Sequence, residues 1–322
     1  MPISEIHALV AADMRLVNEL IYRRLHSEVA LVNELGHYIV TGGGKRLRPV
    51  VVLLSAQASG YSGPHHIELA AVIEFIHTAT LLHDDVVDSS ELRRGRETAN
   101  NLWGNEASVL VGDFLYSRSF QMMVQVRNLR VMEILADATN TIAEGEVLQL
   151  MHCRDPDTSE ERYFEVIRCK TAKLFEAAAE IGAVLAGTGA VAEKALADYG
   201  AHLGIAFQLI DDVLDYSASS EVIGKNVGDD LEEGKPTLPL IHAMRHGTPA
   251  EAALLREAIL TGGRNEMTAV IETIEKNGSI AYTLDLARRE AARAVASLAD
   301  LPEGRYRDAL VGLAEFSVSR IS

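Results

Sequence analysis

Two aspartate motifs of the same form, DDxxD, occur in the sequence at residues 84–88 and 211–215. Each one ends an apolar stretch with helical periodicity. Residues four apart share a helix face, so the first and last carboxylates of each motif project together and repel one another. The motifs therefore predict an oxygen-rich site for hard cations, of which Mg²⁺ fits best. The candidate metal ligands are Asp84, Asp85, Asp88, Asp211, Asp212 and Asp215.

A basic segment, GGGKRLRP at residues 42–49, places Lys45 and Arg48 behind a run of glycines. Lysine and arginine bind phosphate oxygens, and glycine lets the backbone approach a ligand closely. The segment is not a Walker A loop, because Ile39 and Arg46 stand where that loop requires glycine and serine or threonine. It predicts either a phosphate site or a solvated basic turn.

Further basic and polar candidates lie near the aspartate motifs. Arg93 and Arg94 closely follow the first motif, and carboxylates beside a paired arginine predict a metal together with a phosphate. His77 stands two turns before Asp84 and is either a substrate contact or an ordinary core histidine. The remaining candidates are Lys170, Thr171, Lys225 and Lys235, and Lys225 could equally be a surface lysine.

The composition limits the class of protein. The chain has 322 residues, 48% of them hydrophobic, and a net charge of −16, which argues against nucleic acid or an anionic membrane as the main partner. Its two cysteines, Cys153 and Cys169, lack the spacing of a zinc site or a disulfide framework and fit a reducing cytoplasm. We expect no signal peptide and no transmembrane segment.

Almost the whole chain has helical periodicity. Some stretches, such as 66–83 and 172–187, are apolar on more than one face, which predicts inner helices of a large all-α bundle. No period-two pattern or linker is present, so we expect essentially no sheet and a single domain over residues 1–322. Besides a helix after Pro49, the predicted helices cover 4–34, 66–88, 106–126, 131–152, 159–183 and 191–216.

Aspartates and cations at the mouth of an apolar helical cavity suit a ligand with a diphosphate head and a hydrocarbon tail. Metal ions would neutralise the diphosphate as a leaving group. An apolar, water-poor cavity would protect the resulting carbocation from hydrolysis.

At these motifs the chain resembles the trans (E-type) polyprenyl diphosphate synthases, from about residue 14 to 320. The likeness is greatest to the bacterial members that make the octaprenyl side chain of a quinone. It implies antiparallel helices around a deep cavity, a Mg²⁺-dependent prenyltransferase and a homodimer. The matching segments are GGGKRLRP (42–49), LLHDDVVD (81–88), RRG (93–95), KTAKLFEAA (170–178), and FQLIDDVLDY with GKNVGDDLEEGKPTLPL (within 207–240).

The resemblance also implies roles for individual residues. The first motif would bind two Mg²⁺ ions on the allylic diphosphate and the second motif a third. That diphosphate would be held by Arg93, Lys170 and Lys235. Isopentenyl diphosphate would be held by Lys45, Arg48, His77 and Arg94. Thr171 and Gln208 would stabilise the developing cation. The allylic diphosphate would ionise, the isopentenyl double bond would attack its C1, and a proton would leave to the departing pyrophosphate.

Product length can be predicted from the helix that carries the first motif. Ala79 and Thr80 stand about one turn before Asp84 and are too small to block a growing chain, where short-chain members of the family tend to carry aromatic residues. We therefore expect a product of about eight to nine isoprene units by resemblance. Candidate floor residues of the tunnel on helix 106–126 are Tyr116, Phe120 and Met123, which could equally be core or dimer contacts.

Three other functions compete with this interpretation. A short-chain farnesyl or geranylgeranyl diphosphate synthase is disfavoured by the small residues at 79 and 80. A terpene cyclase usually carries a different second metal motif. A non-catalytic subunit of a heteromeric synthase tends to lose the aspartates or the basic loop, and both are intact here.

Overall fold

The computed structural model describes residues 1–217 and 228–320. In these residues the chain forms helices and one minimal hairpin, which confirms the all-α prediction. The helices are α1 (Ile3–Leu9), α2 (Ala11–Leu25), α3 (Ala30–Thr41), α4 (Leu47–Ala58), α5 (His65–Val87), α6 (Ala99–Trp103), α7 (Asn105–Val126), α8 (Leu129–His152), α9 (Glu160–Ile167), α10 (Lys173–Ala186), α11 (Ala190–Asp215), α12 (Asp229–Glu232), α13 (Leu238–His246), α14 (Pro249–Thr261), α15 (Met267–Lys276), α16 (Ser279–Ser297) and α17 (Arg305–Ser319). The hairpin strands are β1 (Leu92–Arg93) and β2 (Arg96–Glu97), and a π-helical turn, Arg168–Ala172, joins α9 to α10.

The predicted helix over 4–34 is wrong as a single element, because α1, α2 and α3 divide it. Between α2 and α3, the side chain of Asn33 accepts a hydrogen bond from the N–H of Ser27 at 2.9 Å and donates one to its carbonyl at 2.7 Å. A side chain that takes both backbone groups of a residue competes with the helical hydrogen bonds and ends the helix.

The helix predicted after Pro49 is present as α4, which begins two residues earlier, at Leu47. Pro49 stands in the first turn, where a missing N–H removes no intrahelical hydrogen bond. Residues 50–54, which also resembled a strand, are helical and almost completely buried.

Contacts between residues divide the chain into two compact units. Unit 1 comprises residues 1–139, 174–200 and 297–313, and unit 2 comprises 140–173, 201–296 and 314–322. The single domain therefore stays a prediction, as does the cytoplasmic location. Within the described part of the chain, no helix combines the length and the apolar character needed to cross a membrane.

In unit 1, α5 packs against α2, α4 and α7 and is buried on more than one face, as predicted. At two positions a neighbouring helix comes so close that only glycine leaves enough space. A Cβ at Gly182 of α10 would lie 2.6 Å from the backbone N of Ala56 in α4, and one at Gly112 of α7 would lie 2.4 Å from Nε2 of His83 in α5. The second approach brings α7 close to the end of α5 that carries the first aspartate motif.

In unit 2, the apolar face of α11 forms the core. Leu209, Ile210 and Leu214 are buried in a cluster with Tyr163 of α9 and Leu238 of α13. Removing apolar side chains from water supplies roughly 1.5–3 kcal/mol for each fully buried leucine or isoleucine, so this cluster holds the motif-bearing end of α11 in place.

Candidate active site

The first aspartate motif ends helix α5. The N–H of Asp88 donates to the carbonyl of Asp84 at 2.8 Å, so these two residues lie one turn apart, as predicted. Asp85 between them is fully buried, and its Oδ1 accepts hydrogen bonds from Nε and Nη2 of Arg93 at 2.8 and 2.6 Å. Its Oδ2 is buried and has no hydrogen-bond partner.

The charges of this motif are not balanced by Arg93. Burial raises the pKa of Asp85, the hydrogen bond from Arg93 opposes that rise, and the charges of Asp84 and Asp88 add to it. Burial alone would lower the pKa of the Arg93 guanidinium, but its hydrogen bond to Asp85 raises it. The carboxylates of this motif, with the orphaned Oδ2 of Asp85, offer oxygen donors of the type that Mg²⁺ prefers. In residues 1–217 and 228–320, however, no three acidic, histidine or cysteine side chains form a metal-holding group.

The hairpin explains how Arg93 reaches Asp85. Strand β1 pairs with β2 in antiparallel register, with Arg93 opposite Arg96. The two turn residues, Arg94 and Gly95, have φ of 55° and 72°, which is typical of a tight two-residue hairpin. The hairpin was not predicted from the sequence, although the glycine at position 95 is a local signal for it.

Arg48 and His77 form the centre of a basic cluster. Nη1 of Arg48 lies 3.3 Å from Nε2 of His77, and because a guanidinium only donates, the ring proton of His77 is on Nδ1. Burial lowers the pKa of His77 well below its usual value, and so do the charges of Arg48, Arg94, Arg93 and Arg46. His77 is therefore a neutral hydrogen-bond donor among fixed positive charges, which suits an anionic ligand.

The glycine loop before α4 contacts Arg94. Nη1 of Arg94 donates a hydrogen bond to the carbonyl of Gly43. Gly44 has φ of 133°, and a Cβ there would lie 2.6 Å from the same nitrogen of Arg94. The loop and the hairpin are thus held together by a close approach that only glycine permits.

The other cations of the loop have different surroundings. Arg46 adopts a left-handed conformation, with φ of 49°, and forms an ion pair with Glu74 of α5 at 2.8 Å. Lys45 is exposed. The guanidinium of Arg48 lies 4.3 Å from the centre of the Phe175 ring, a cation–π contact that fixes its orientation.

A cavity of about 520 Å³, which includes space open to solvent, lies in unit 1. Its lining includes Thr78, Asp85, Arg93, Arg94 and the glycine loop. One cavity therefore combines an acidic group suited to a cation with basic groups suited to phosphate. This arrangement suits a phosphorylated ligand with a divalent metal.

The second aspartate motif ends α11 in unit 2, and its three carboxylates differ in exposure. The Asp211 side chain is 41% exposed, whereas Asp212 and Asp215 are buried. Oδ2 of Asp215 accepts a hydrogen bond from the N–H of Asp230 at 3.2 Å, at the start of α12. Asp211 is therefore the most accessible carboxylate of this motif.

A chain of hydrogen bonds links the predicted cation-stabilising residues to the second motif. The Thr171 hydroxyl donates to Oε1 of Gln208 at 2.9 Å, and Nε2 of Gln208 donates to Oδ1 of Asp212 at 2.8 Å. The hydroxyl of Tyr163 donates to Oδ2 of Asp212 at 2.5 Å. Tyr163 was missed by the sequence analysis, because nothing near residue 163 marks a contact 49 positions away.

The surroundings of Asp212 shift its protonation equilibrium. Burial and the charge of Asp230 raise its pKa to about 7, although hydrogen bonds from Tyr163 and Gln208 oppose the rise. Burial and the nearby Asp212 carboxylate raise the pKa of Tyr163 well above its usual value, so its hydroxyl stays protonated and remains a donor.

The π-helical turn presents Lys170 and Thr171. Nζ of Lys170 donates to Glu146 and Gln149 of α8, both at 2.5 Å. A Cβ at Gly145 would lie 2.7 Å from the backbone N of Lys170, so the widened turn occupies space that glycine leaves open. Such turns frequently occur at functional sites, and this one interrupts the helix predicted over 159–183.

The remaining basic residues discussed for the second motif follow α11 in the sequence. Lys235 donates from Nζ to Glu233 at 2.5 Å. Lys225 lies outside the described residues. Arg320, which the sequence analysis did not select, donates from Nη2 to Oδ1 of Asp211.

The chain-length candidates all belong to unit 1. Ala79 and Met123 are fully buried, and the hydroxyl of Thr80 donates to a backbone carbonyl one turn earlier at 2.8 Å. The rings of Tyr116 and Phe120 lie 5.7 Å apart in a tilted arrangement. Helices α5 and α7 pack together, as the tunnel prediction requires, but these residues stay predictions for chain length.

Comparison with known proteins identifies the family. The family model for polyprenyl synthetase matches residues 29–276, so the chain belongs to the polyprenyl synthetase family and is a prenyltransferase. This confirms the resemblance inferred from the motifs.

Individual relatives agree over the full length. The chain is 56% identical over 321 residues to octaprenyl diphosphate synthase of Escherichia coli, covering 99% of each chain. It is 46% identical to an all-trans-nonaprenyl-diphosphate synthase, geranyl-diphosphate specific, of Rhodobacter capsulatus, covering 98% of each. A solved polyprenyl synthase of Caulobacter crescentus, complexed with calcium and isoprenyl diphosphate, matches with a TM-score of 0.96 and 48% identity, covering 100% of this chain and 98% of that one. These relatives confirm the prediction of a long-chain all-trans polyprenyl synthase.

Proposed function

We propose that this protein makes octaprenyl diphosphate by adding isopentenyl diphosphate repeatedly to farnesyl diphosphate, and that the product supplies a quinone side chain. One observation carries the chemistry: a single cavity of unit 1 is lined by Asp85 of the first motif and by Arg93 and Arg94. Carboxylates for a divalent cation beside guanidinium groups for a diphosphate are what a prenyl diphosphate requires. The likeness to the E. coli octaprenyl enzyme supports the product.

We assign metal binding to the two aspartate motifs, with three Mg²⁺ ions per active site. Bound Mg²⁺ neutralises the diphosphate and makes it a better leaving group. The orphaned Oδ2 of Asp85 and the exposed carboxylate of Asp211 support the assignment, because each offers oxygen to an incoming cation. The ligand set is Asp84, Asp85, Asp88, Asp211, Asp212 and Asp215.

The basic residues are assigned to the two diphosphates. Isopentenyl diphosphate is held by Lys45, Arg48, His77 and Arg94. The allylic diphosphate is held by Arg93, Lys170 and Lys235, with Lys225 as a further substrate contact. The low pKa of His77 supports its role, because a neutral imidazole can donate its Nδ1 proton to phosphate while Nε2 accepts from Arg48.

Thr171 and Gln208 are assigned to cation stabilisation. The Thr171 hydroxyl proton is directed to Gln208, so the lone pairs of the hydroxyl oxygen remain available to a developing positive charge. The isopentenyl double bond then forms the new carbon–carbon bond at C1 of the allylic cation. A proton leaves the adduct to the departing pyrophosphate, and the cycle repeats on the longer chain.

Product length is assigned to the start of the tail path along α5. Replacing Ala79, which is fully buried, by tyrosine should shorten the product, because the ring would occupy space that the growing chain needs. Reversed-phase chromatography of the dephosphorylated products measures this. Ala136→Tyr, at an exposed position of α8, is the matched control and should leave the length unchanged. Unchanged length in the Ala79 variant contradicts this placement of the tail.

We also propose that residues 1–322 act as one catalytic domain and that the enzyme is a homodimer. The family model spans parts of both units, which supports a single domain. Exposed apolar side chains support self-association: Leu110 and Val124 of α7 are 66% and 61% exposed, and Leu150 and Met151 of α8 are 60% and 70% exposed. Light scattering during size-exclusion chromatography should give twice the chain mass, and a monomer mass contradicts the dimer.

Incorporation of labelled isopentenyl diphosphate into an organic-extractable product tests the function. Label should enter the product only when farnesyl diphosphate and Mg²⁺ are both present, and EDTA should abolish it. Geranyl and geranylgeranyl diphosphates, tested in parallel, identify the preferred starter. Absence of incorporation with every starter contradicts the proposal.

A further inference from the structure

Arg320, directly after α17, is anchored on one turn of α11 in unit 2. Its Nη2 donates to Oδ1 of Asp211 and, at 3.4 Å, to the carbonyl of Phe207. Its guanidinium carbon lies 4.1 Å from the centre of the Phe207 ring. The Arg320 side chain is only 10% exposed. These contacts hold the cation against the carboxylate of Asp211.

The environment of the second motif makes this contact consequential. Asp212 and Asp215 accept hydrogen bonds from within the protein, from Tyr163 and Gln208 in one case and from the backbone of Asp230 in the other. Asp211 is the most exposed of the three carboxylates, and among the described residues Arg320 places a positive charge on it. A divalent ion that approaches Asp211 therefore meets a cation already in position.

We propose that Arg320 is an internal counter-cation that stabilises Asp211 in the metal-free enzyme and weakens divalent-metal binding there, so that it sets the metal concentration at which the second motif is filled. The inference rests on the proposed metal role of Asp211. Two cations near one carboxylate repel each other. Oδ1 of Asp211 would also have to give up the hydrogen bond that it accepts from Arg320 before it binds a metal.

A counter-cation role and an orienting role for Arg320 predict opposite changes in metal affinity when Arg320 is removed. If Arg320 competes with the metal, its removal strengthens metal binding. If Arg320 instead orients Asp211 for the metal, its removal weakens metal binding. Loss of the ring contact with Phe207 affects folding stability alone and moves the metal affinity in neither direction.

The test is a titration of the full-length enzyme with Mg²⁺ in the presence of inorganic pyrophosphate, followed by thermal denaturation. Arg320→Gln should lower the Mg²⁺ concentration at half-maximal stabilisation by about two- to fivefold, the range expected for a partly exposed ion pair. Arg320→Met keeps the apolar stem against Phe207 and should lower the Mg²⁺ midpoint by a similar factor. This second variant keeps the test decisive if Arg320→Gln has a folding defect. Arg320→Lys keeps the charge and should stay near wild type.

Asp211→Asn separates the two proposals. An increased Mg²⁺ midpoint in this variant, together with a lowered midpoint in Arg320→Gln and Arg320→Met, supports both. If Asp211→Asn raises the midpoint but the arginine variants leave it unchanged or raise it, the counter-cation proposal is wrong and the metal role of Asp211 stands. If Asp211→Asn leaves the midpoint unchanged, the metal role of Asp211 is wrong, and the counter-cation proposal falls with it.

Discussion

The two DDxxD motifs have the same spacing but different partners for their central carboxylate. In the first motif, Asp85 is paired with Arg93, a charged partner only eight residues away. In the second motif, Asp212 accepts hydrogen bonds from the neutral side chains of Tyr163 and Gln208. Among the described residues, Arg320 is a cation that contacts the second motif, and it is placed on Asp211 instead.

The two motifs therefore share the same residue spacing but have different electrostatic surroundings. A charged partner stabilises an ionised carboxylate in a buried position, whereas neutral donors only partly offset the cost of burial. Burial raises the pKa of both Asp85 and Asp212, and the pKa of Asp212 reaches about 7 even though two side chains donate to it. The two motifs should therefore respond differently to substitution and to pH.

The largest expected effect comes from removing a candidate metal ligand. Asp84→Ala should lower turnover by about 10²–10³-fold or more, the loss typical of removing one group that stabilises transition-state charge. Steady-state incorporation of labelled isopentenyl diphosphate measures it, with circular dichroism to show that the fold is kept. Asp137→Ala, at an exposed position of α8, is the matched control. Activity retained in Asp84→Ala would remove the metal assignment.

The next effect concerns the charged pair of the first motif. Arg93→Gln leaves Asp85 buried without its charged partner, so the free energy of unfolding should fall by about 3 kcal/mol. Urea denaturation of the metal-free protein measures this. Arg96→Gln, on the facing strand, removes an arginine that lies over the Tyr38 ring and should cost much less. Equal losses in both variants contradict a special role for the Arg93–Asp85 pair.

A smaller effect is expected at the neutral partner of the second motif. Tyr163→Phe removes the donor to a buried carboxylate oxygen, which should cost about 1–3 kcal/mol of stability. Tyr282→Phe removes a hydroxyl that donates to Glu160 at 2.9 Å in a less buried position and serves as the control. Urea denaturation compares the two. A Tyr163 variant as stable as the control argues that this hydrogen bond contributes little.

The pH dependence sharpens the comparison further. Because the pKa of Asp212 is raised to about 7 in the folded protein, the folded state binds its proton more tightly than the unfolded state. Its contribution to stability is therefore fully present below the unfolded pKa of about 4 and is lost as pH rises towards 7. Thermal denaturation of the metal-free enzyme between pH 5 and 8 should show this loss, and Asp212→Asn should reduce the slope. An unchanged slope contradicts the raised pKa.

The sequence predicted those parts of the molecule that depend on local patterns. Helices α5, α7, α8 and α11 follow from apolar periodicity, and the approach of Arg93 to the first motif follows from its closeness in the chain. The aspartates and the basic loop were found in the same way.

Features that depend on distant residues were not predictable. Tyr163 and Arg320 contact the second motif across 49 and 109 residues, and no local pattern marks either one. The π-helical turn depends on space left by Gly145 of another helix. One local feature was not predicted either: the break between α2 and α3 depends on side-chain hydrogen bonds of Asn33, which compete with helical propensity without changing the apolar pattern.

Mass spectrometry of the dephosphorylated product tests the central claim most directly. The enzyme is supplied with farnesyl diphosphate, excess isopentenyl diphosphate and Mg²⁺. The account predicts a dominant all-trans alcohol of eight isoprene units that disappears when the metal is removed. A product that stops at three or four units, or a cyclic hydrocarbon, would contradict it.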